Sequence, residues 1–142
     1  MSGTAFPGPE QSPGFVLWRA TLVWQRSVTA ALEPFGLTHV QFVLLACAWW
    51  LGRDAAPRQS DVAAQAGTDP VMTSEVLRRL EAKGLVRRAH DPDDRRARRI
   101  EVTSEGVRLA DLAVAAVEGV DREVLGDVGA PLLARLAAVA GL

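Results

Sequence analysis

The 142-residue sequence has one cysteine, one lysine, no tyrosine and only two histidines. A lone Cys47 cannot close an internal disulfide, so nothing asks for an oxidising compartment. No Lys or Arg precedes Arg19, which leaves a secretory signal without its basic start. The most apolar stretch, Val40 to Leu51 with Gln41 included, is 12 residues long, against about 20 for a bilayer span. The expected location is therefore the reducing cytosol, with no membrane partner. His39 and His90 stand 51 residues apart, and there is neither a glycine-rich phosphate loop nor a His/Cys pair at metal-ligand spacing. Nucleophile–base and zinc chemistry thus lack parts, and no enzyme activity, catalytic residue, metal or cofactor is expected. Asp91, Asp93 and Asp94 raise the thought of calcium, but the loop has no central glycine and no closing glutamate of an EF-hand.

What is present is core material and arginine. At 49% hydrophobic and 23% charged residues the chain suits one packed domain over residues 15–142. Residues 1–14, rich in Pro and Gly, read as a loose arm that buries too little to offset its ordering entropy. Apolar residues from Phe15 to Phe35 recur at helical spacing until Gly36. Thr38 can cap a second helix, Val40 to Leu51, which is apolar on nearly every side and so expected to be buried all round. Gln59 to Ala66 reads as a short amphipathic helix closed by Gly67. Asp69 followed by Pro70 is a strong helix start, and that helix is expected to run to Lys83. Leu85 to His90 and Arg99 to Thr103 read as strands joined by the turn Asp91-Pro92-Asp93-Asp94. A long helix from Thr103 or Ser104 to about Glu123 and a last one over Pro131 to Val139 complete the order.

That order is a mainly α fold with a small β-hairpin: a winged helix-turn-helix (57–103) between helical flanks (15–52 and 104–142). On a helical wheel Asp69, Met72, Thr73, Val76, Leu77 and Leu80 face inward, while Val71, Ser74, Glu75 and Arg78 face out. Such side chains can touch a thymine methyl, bond a base edge, accept from cytosine or fork to guanine. Any solvated helix has a polar face; the segment after it changes the odds. Between Arg78 and Arg99 nine basic side chains face four acidic ones, a net +5, whereas the other 120 residues hold seven bases and 13 acids, a net −6. The overall −1 therefore hides a basic edge on an acidic body, suited to oriented contact with a polyanion.

Several runs then carry a resemblance: Gly36-Leu37-Thr38 with Gln41-Phe42, Asp61-Val62-Ala63, Leu77 through Arg88, Asp91-Pro92-Asp93-Asp94-Arg95-Arg96, and Val102-Thr103-Ser104-Glu105-Gly106. In this order and spacing, from about Phe15 onward, the chain strongly resembles the MarR family of bacterial transcriptional regulators. The resemblance implies a homodimer on a pseudo-palindromic operator in double-stranded DNA, in most cases a repressor, with the first, fifth and last helices packing across the two-fold axis. It implies that Val71, Ser74, Glu75 and Arg78 face the major groove, that Arg96 at the wing tip enters the minor groove and that Asp94 braces it, with Arg79, Arg88, Arg95 and Arg98 as further DNA contacts. Arg58 departs from the pattern, since many relatives have a Ser or Thr cap there. Relatives often bind aromatic or phenolic effectors, for which Trp18, Arg19, His39 and Trp49 are candidate lining residues, although core packing is the commoner fate of aromatics at helical spacing. Two alternatives stand beside this reading: a winged-helix module that binds protein rather than DNA, and redox sensing through Cys47. The apolar neighbours of Cys47 argue against the second, because a buried thiol is inert.

Overall fold

The structure, a computed structural model, describes Gly3 and residues 5–142. Met1, Ser2 and Thr4, part of the expected arm, lie outside the described residues. The rest of that arm is not uniformly loose: Pro9–Gln11 forms a 3-10 turn, and α1 (Pro13–Leu32) starts two residues earlier than the apolar pattern indicates. Proline at a first helical position costs no hydrogen bond, which lets Pro13 open the helix. There follow α2 (His39–Leu51), α3 (Gln59–Ala66), α4 (Pro70–Ala82), β1 (Val86–His90), β2 (Arg98–Val102), α5 (Ser104–Leu125) and α6 (Ala130–Ala140). No single described helix is long and apolar enough to cross a membrane.

The start and stop signals act as local chemistry requires. Thr38 accepts from the Gln41 amide at 3.2 Å while the Gln41 side chain accepts from the Thr38 amide at 3.2 Å, a reciprocal cap on α2. Gly67, at φ +70°, closes α3 in the left-handed conformation that lets the chain turn into α4. Asp69 Oδ1 accepts from the amides of Val71 and Met72 at 2.9 and 3.0 Å, and Pro70 has no amide to lose. β1 and β2 pair antiparallel in the register Val86↔Val102 to His90↔Arg98.

One core joins the helical scaffold to the hairpin. Val28 and Leu32 of α1, Leu44 and Leu45 of α2, Val62 of α3, Leu77 and Leu80 of α4, Ile100 of β2 and Ala110 and Ala113 of α5 are all fully or almost fully buried. Each large aliphatic side chain so placed contributes about 1.5–3 kcal/mol. α1 also holds α5 through Trp24, whose Nε1 donates to Asp121 Oδ1 at 2.7 Å.

Two expectations are corrected. α2 is not buried all round: Trp50 is 61% exposed and Val43 and Cys47 are half-buried, because the helices and strand packed against α2 leave one side open. On α4, Thr73, Val76, Leu77 and Leu80 turn inward as the wheel requires, but Met72 is exposed, and Asp69 stays at the surface as a cap. Exposed apolar side chains gather at the ends of the scaffold. Phe15, Val16, Leu17 and Trp18 of α1 and Leu132, Leu133, Leu136 and Val139 of α6 are all exposed.

Candidate nucleic-acid interface

Capping and burial together aim α4. With Thr73, Val76, Leu77 and Leu80 in the core, a 100° step per residue leaves Val71, Ser74, Glu75 and Arg78 on the outer side. With Pro70 these four residues line one shallow hollow of about 370 Å³. Glu75 is held by Arg79 one turn on, with Nη2 to Oε1 at 2.9 Å on an exposed face, so the two form a neutral couple of small energetic weight.

The hairpin is fastened where its loop begins by Asp91, whose side chain is shielded from solvent. Its Oδ1 accepts from the amides of Asp93 and Asp94 at 2.8 and 3.2 Å. Its Oδ2 takes Arg58 Nε at 3.0 Å and Arg99 Nε at 2.7 Å. The Asp93 amide, with the two guanidinium groups, holds this carboxyl below the usual carboxylate range against the opposing effect of burial. Arg99 also donates to the Ala56 carbonyl at 2.9 Å, and the Ile100 amide donates to Pro57 O at 2.9 Å. The segment before α3 thereby becomes a one-bridge third strand beside β2, through Arg58 and Arg99. At the tip, Asp94 Oδ1 accepts from the Arg96 amide at 2.9 Å, which fixes the loop backbone and leaves the Arg95 and Arg96 side chains in solvent.

The basic segment is less uniform than its count of charges. Lys83 turns toward the scaffold, donating to Gln41 Oε1 at 2.9 Å and to the Gly36 carbonyl. Arg99 is half-buried in the Asp91 clamp, Arg87 meets Glu101 across the hairpin at 3.5 Å, and Arg88 is half-buried, with its amide donating to Glu81 Oε2 at 2.8 Å. Arg98 Nη1 lies 3.1 Å from His90 Nε2; arginine only donates, so the ring nitrogen is the acceptor. Within residues 78–99 the exposed cations that no carboxylate or carbonyl engages among the described residues are Arg78, Arg95, Arg96 and Arg98. A cleft of about 370 Å³ between the wing, the start of α3 and Pro70 is lined by Arg58, Ser60, Asp94, Arg96 and Arg98 among others. Pro70 borders both this cleft and the α4 hollow.

Sequence reasoning underrated two residues here. Asp91 reads as a turn former, and Arg58 only as an odd cap. The available signal was that odd cap, an arginine where a helix start wants an acceptor.

The residues considered for an effector do not converge. Trp18 is 62% exposed on α1, and Arg19 lines a groove with Phe15, Val16 and Leu125. His39, at the start of α2, packs edge-on to Trp24 at 5.2 Å; burial lowers its pKa, and Asp121 partly offsets that. Trp49 sits at the other end of α2, under the Arg53 guanidinium at 5.6 Å. Burial pushes the Cys47 thiol up, away from the reactive thiolate.

The family model described as MarR family matches residues 37–97. An uncharacterized HTH-type transcriptional regulator, YdcH of Bacillus subtilis, is 42% identical over 118 residues, which is 82% of this chain and 80% of the relative. The HTH-type transcriptional repressor Rv2887 of Mycobacterium tuberculosis is 34% identical over 118 residues, 83% of each chain. Among solved structures, CouR of Rhodococcus jostii RHA1 bound to p-coumaroyl-CoA superposes with a TM-score of 0.82 at 30% identity, covering 95% of this chain and 93% of CouR.

Proposed function

Since the chain belongs to the MarR family of transcriptional regulators, we propose that it works as a homodimeric repressor. In this reading α4 enters the major groove of a pseudo-palindromic operator, and the two wings reach the flanking minor grooves. Val71, Ser74, Glu75 and Arg78 meet base edges; Arg79, Arg88, Arg95, Arg96 and Arg98 meet the backbone or minor groove; Asp94 braces the wing. The observation that carries this is the outward face of α4 with an arginine-lined wing cleft beside it, the two sharing Pro70 in their linings. One short helix and one wing touch few base pairs, so specificity asks for a second copy about one helical turn away. The exposed apolar faces of α1 and α6 are the surface such a copy would cover, since monomers rarely leave that much apolar area in water.

An electrophoretic shift on the DNA upstream of the protein's own gene tests the reading. Binding should weaken steeply with salt, and Arg96→Ala should make the salt dependence shallower. No shift at low salt on any genomic pool would replace the regulator by a protein-binding winged helix. Control by a small aromatic or phenolic effector is the second half of the proposal and rests on the ligand in CouR. Trp18, Arg19, His39 and Trp49 do not form one pocket for it within a single chain. Salicylate-like compounds that move neither the melting temperature nor the DNA affinity would remove this half.

A further inference from the structure

Arg58 is the residue at which this chain parts from the pattern of a hydroxyl cap, and the structure gives its side chain two different ends. The Nε end is bound to Asp91 at 3.0 Å. The side chain nevertheless keeps 40% of its surface in solvent, and its two terminal nitrogens have no hydrogen-bond partner among the described residues. It borders the cleft that Ser60, Arg96 and Arg98 also line, with Asp94 as the one carboxylate in the lining. The Asp94 Oδ1 already accepts from the Arg96 amide at 2.9 Å. Three guanidinium groups stand against that carboxylate and the Asp91 that Arg58 already meets, both of them engaged, so the cleft stays net positive and can take an anion. In a helix-turn-helix the first helix of the motif crosses the DNA backbone, and this cleft lies at the start of that helix, α3.

Building on the DNA-binding reading above, we infer that Arg58 contacts a backbone phosphate with its terminal nitrogens while its Nε fastens the wing through Asp91, so that one side chain both binds DNA and sets the wing's position relative to α3. A hydroxyl cap at this position would offer the phosphate one neutral donor and the wing nothing. The arginine offers a charged fork on one side and a tie across 33 residues of sequence on the other.

The test is the salt dependence of binding to a 30-base-pair random-sequence duplex, read by fluorescence anisotropy with wild type, Arg58→Gln, Asp91→Asn and Ser60→Glu. Each phosphate contact contributes about 0.9 to the slope of log K against log salt, and a dimer has two such sites, so Arg58→Gln should flatten the slope by about 1.8. Between about 50 and 200 mM salt the wild type should then lose roughly tenfold more affinity than the variant. Asp91→Asn turns the charged tie into a neutral one and leaves the Arg58 guanidinium in place, so the slope should not flatten. Ser60→Glu, an exposed change that leaves Asp91 alone, should weaken binding at low salt by an order of magnitude or more, and it keeps the idea testable if Arg58→Gln does not fold. An unchanged slope in Arg58→Gln, or unchanged affinity in Ser60→Glu, would overturn the phosphate contact while leaving the regulator reading intact. A wild type that binds no duplex at low salt would overturn both.

Discussion

Replacing Gly106 with alanine tests the joint between the DNA-reading lobe and α5. The first turn of α5 rests on the end of α4 and the start of the hairpin. Thr103 N donates to Leu85 O at 3.0 Å, and Thr103 Oγ1 meets Gly84 O at 2.7 Å and accepts from the Gly106 amide at 3.0 Å. A Cβ on residue 106 would stand 2.1 Å from Leu85 O and 2.8 Å from Val102 Cγ1, where ordinary contact begins at 3.4 Å. The obstacle is backbone, so no side chain can step aside; α5 must retreat by about 1 Å, enough to break the Thr103 amide bond. Overpacking costs about 1–3 kcal/mol and each hydrogen bond about 1 kcal/mol, less the 0.5–1 kcal/mol that alanine gains over glycine in a helix. The net is about 2 kcal/mol, or roughly 4–8 °C in melting temperature for a chain of this size, measured by circular dichroism at fixed protein concentration. Gly119→Ala in the same helix, where nothing lies within 4 Å of the new Cβ, should instead raise it by a few degrees. A Gly106→Ala protein melting within about 2 °C of wild type would refute the account of the joint.

The wing clamp has a pH signature. The Asp91 carboxyl titrates lower folded than unfolded, so the unfolded chain binds more protons and stability rises with pH across that interval. The contribution is complete above the unfolded value of about 4 and is lost as pH falls through the folded one; the stability gap between wild type and Asp91→Asn in urea titrations should narrow below about pH 4, and a gap independent of pH would count against the clamp. Because burial raises the Cys47 pKa, Cys47→Ser should leave DNA affinity in peroxide equal to that of wild type, and a response present only with the cysteine would reverse that reading. Leu133, 60% exposed on α6, should be covered by a second copy: Leu133→Arg is expected to shift sedimentation at micromolar concentration from dimer to monomer with helicity retained. If the variant stays dimeric, α6 is not the covered face.

Local patterns located most elements to within a residue or two, because the signals that set them act over three or four residues. Asp69-Pro70 starts α4, Gly67 ends α3, and Thr38 with Gln41 caps α2; each needs only its own turn of backbone. The outward set Val71, Ser74, Glu75 and Arg78 followed from helical period alone. Burial of α2 did not, because period says which side is apolar and not which sides have neighbours; Trp50 is as apolar as Leu44 and stays in solvent.

Charge behaves in the same way. The sequence alone determined that residues 78–99 carry the basic excess, since composition is a sum over the chain. Only the tertiary structure decided which of those charges remain for a partner, because that depends on groups distant in sequence. Lys83 is drawn off by Gln41, 42 residues away, and Arg99 by Ala56, 43 residues away, whereas Arg58, outside the counted segment, is brought in by Asp91. A buried carboxylate with four acceptor positions takes whichever donors the fold delivers to it, and no spacing rule along the chain could have named them.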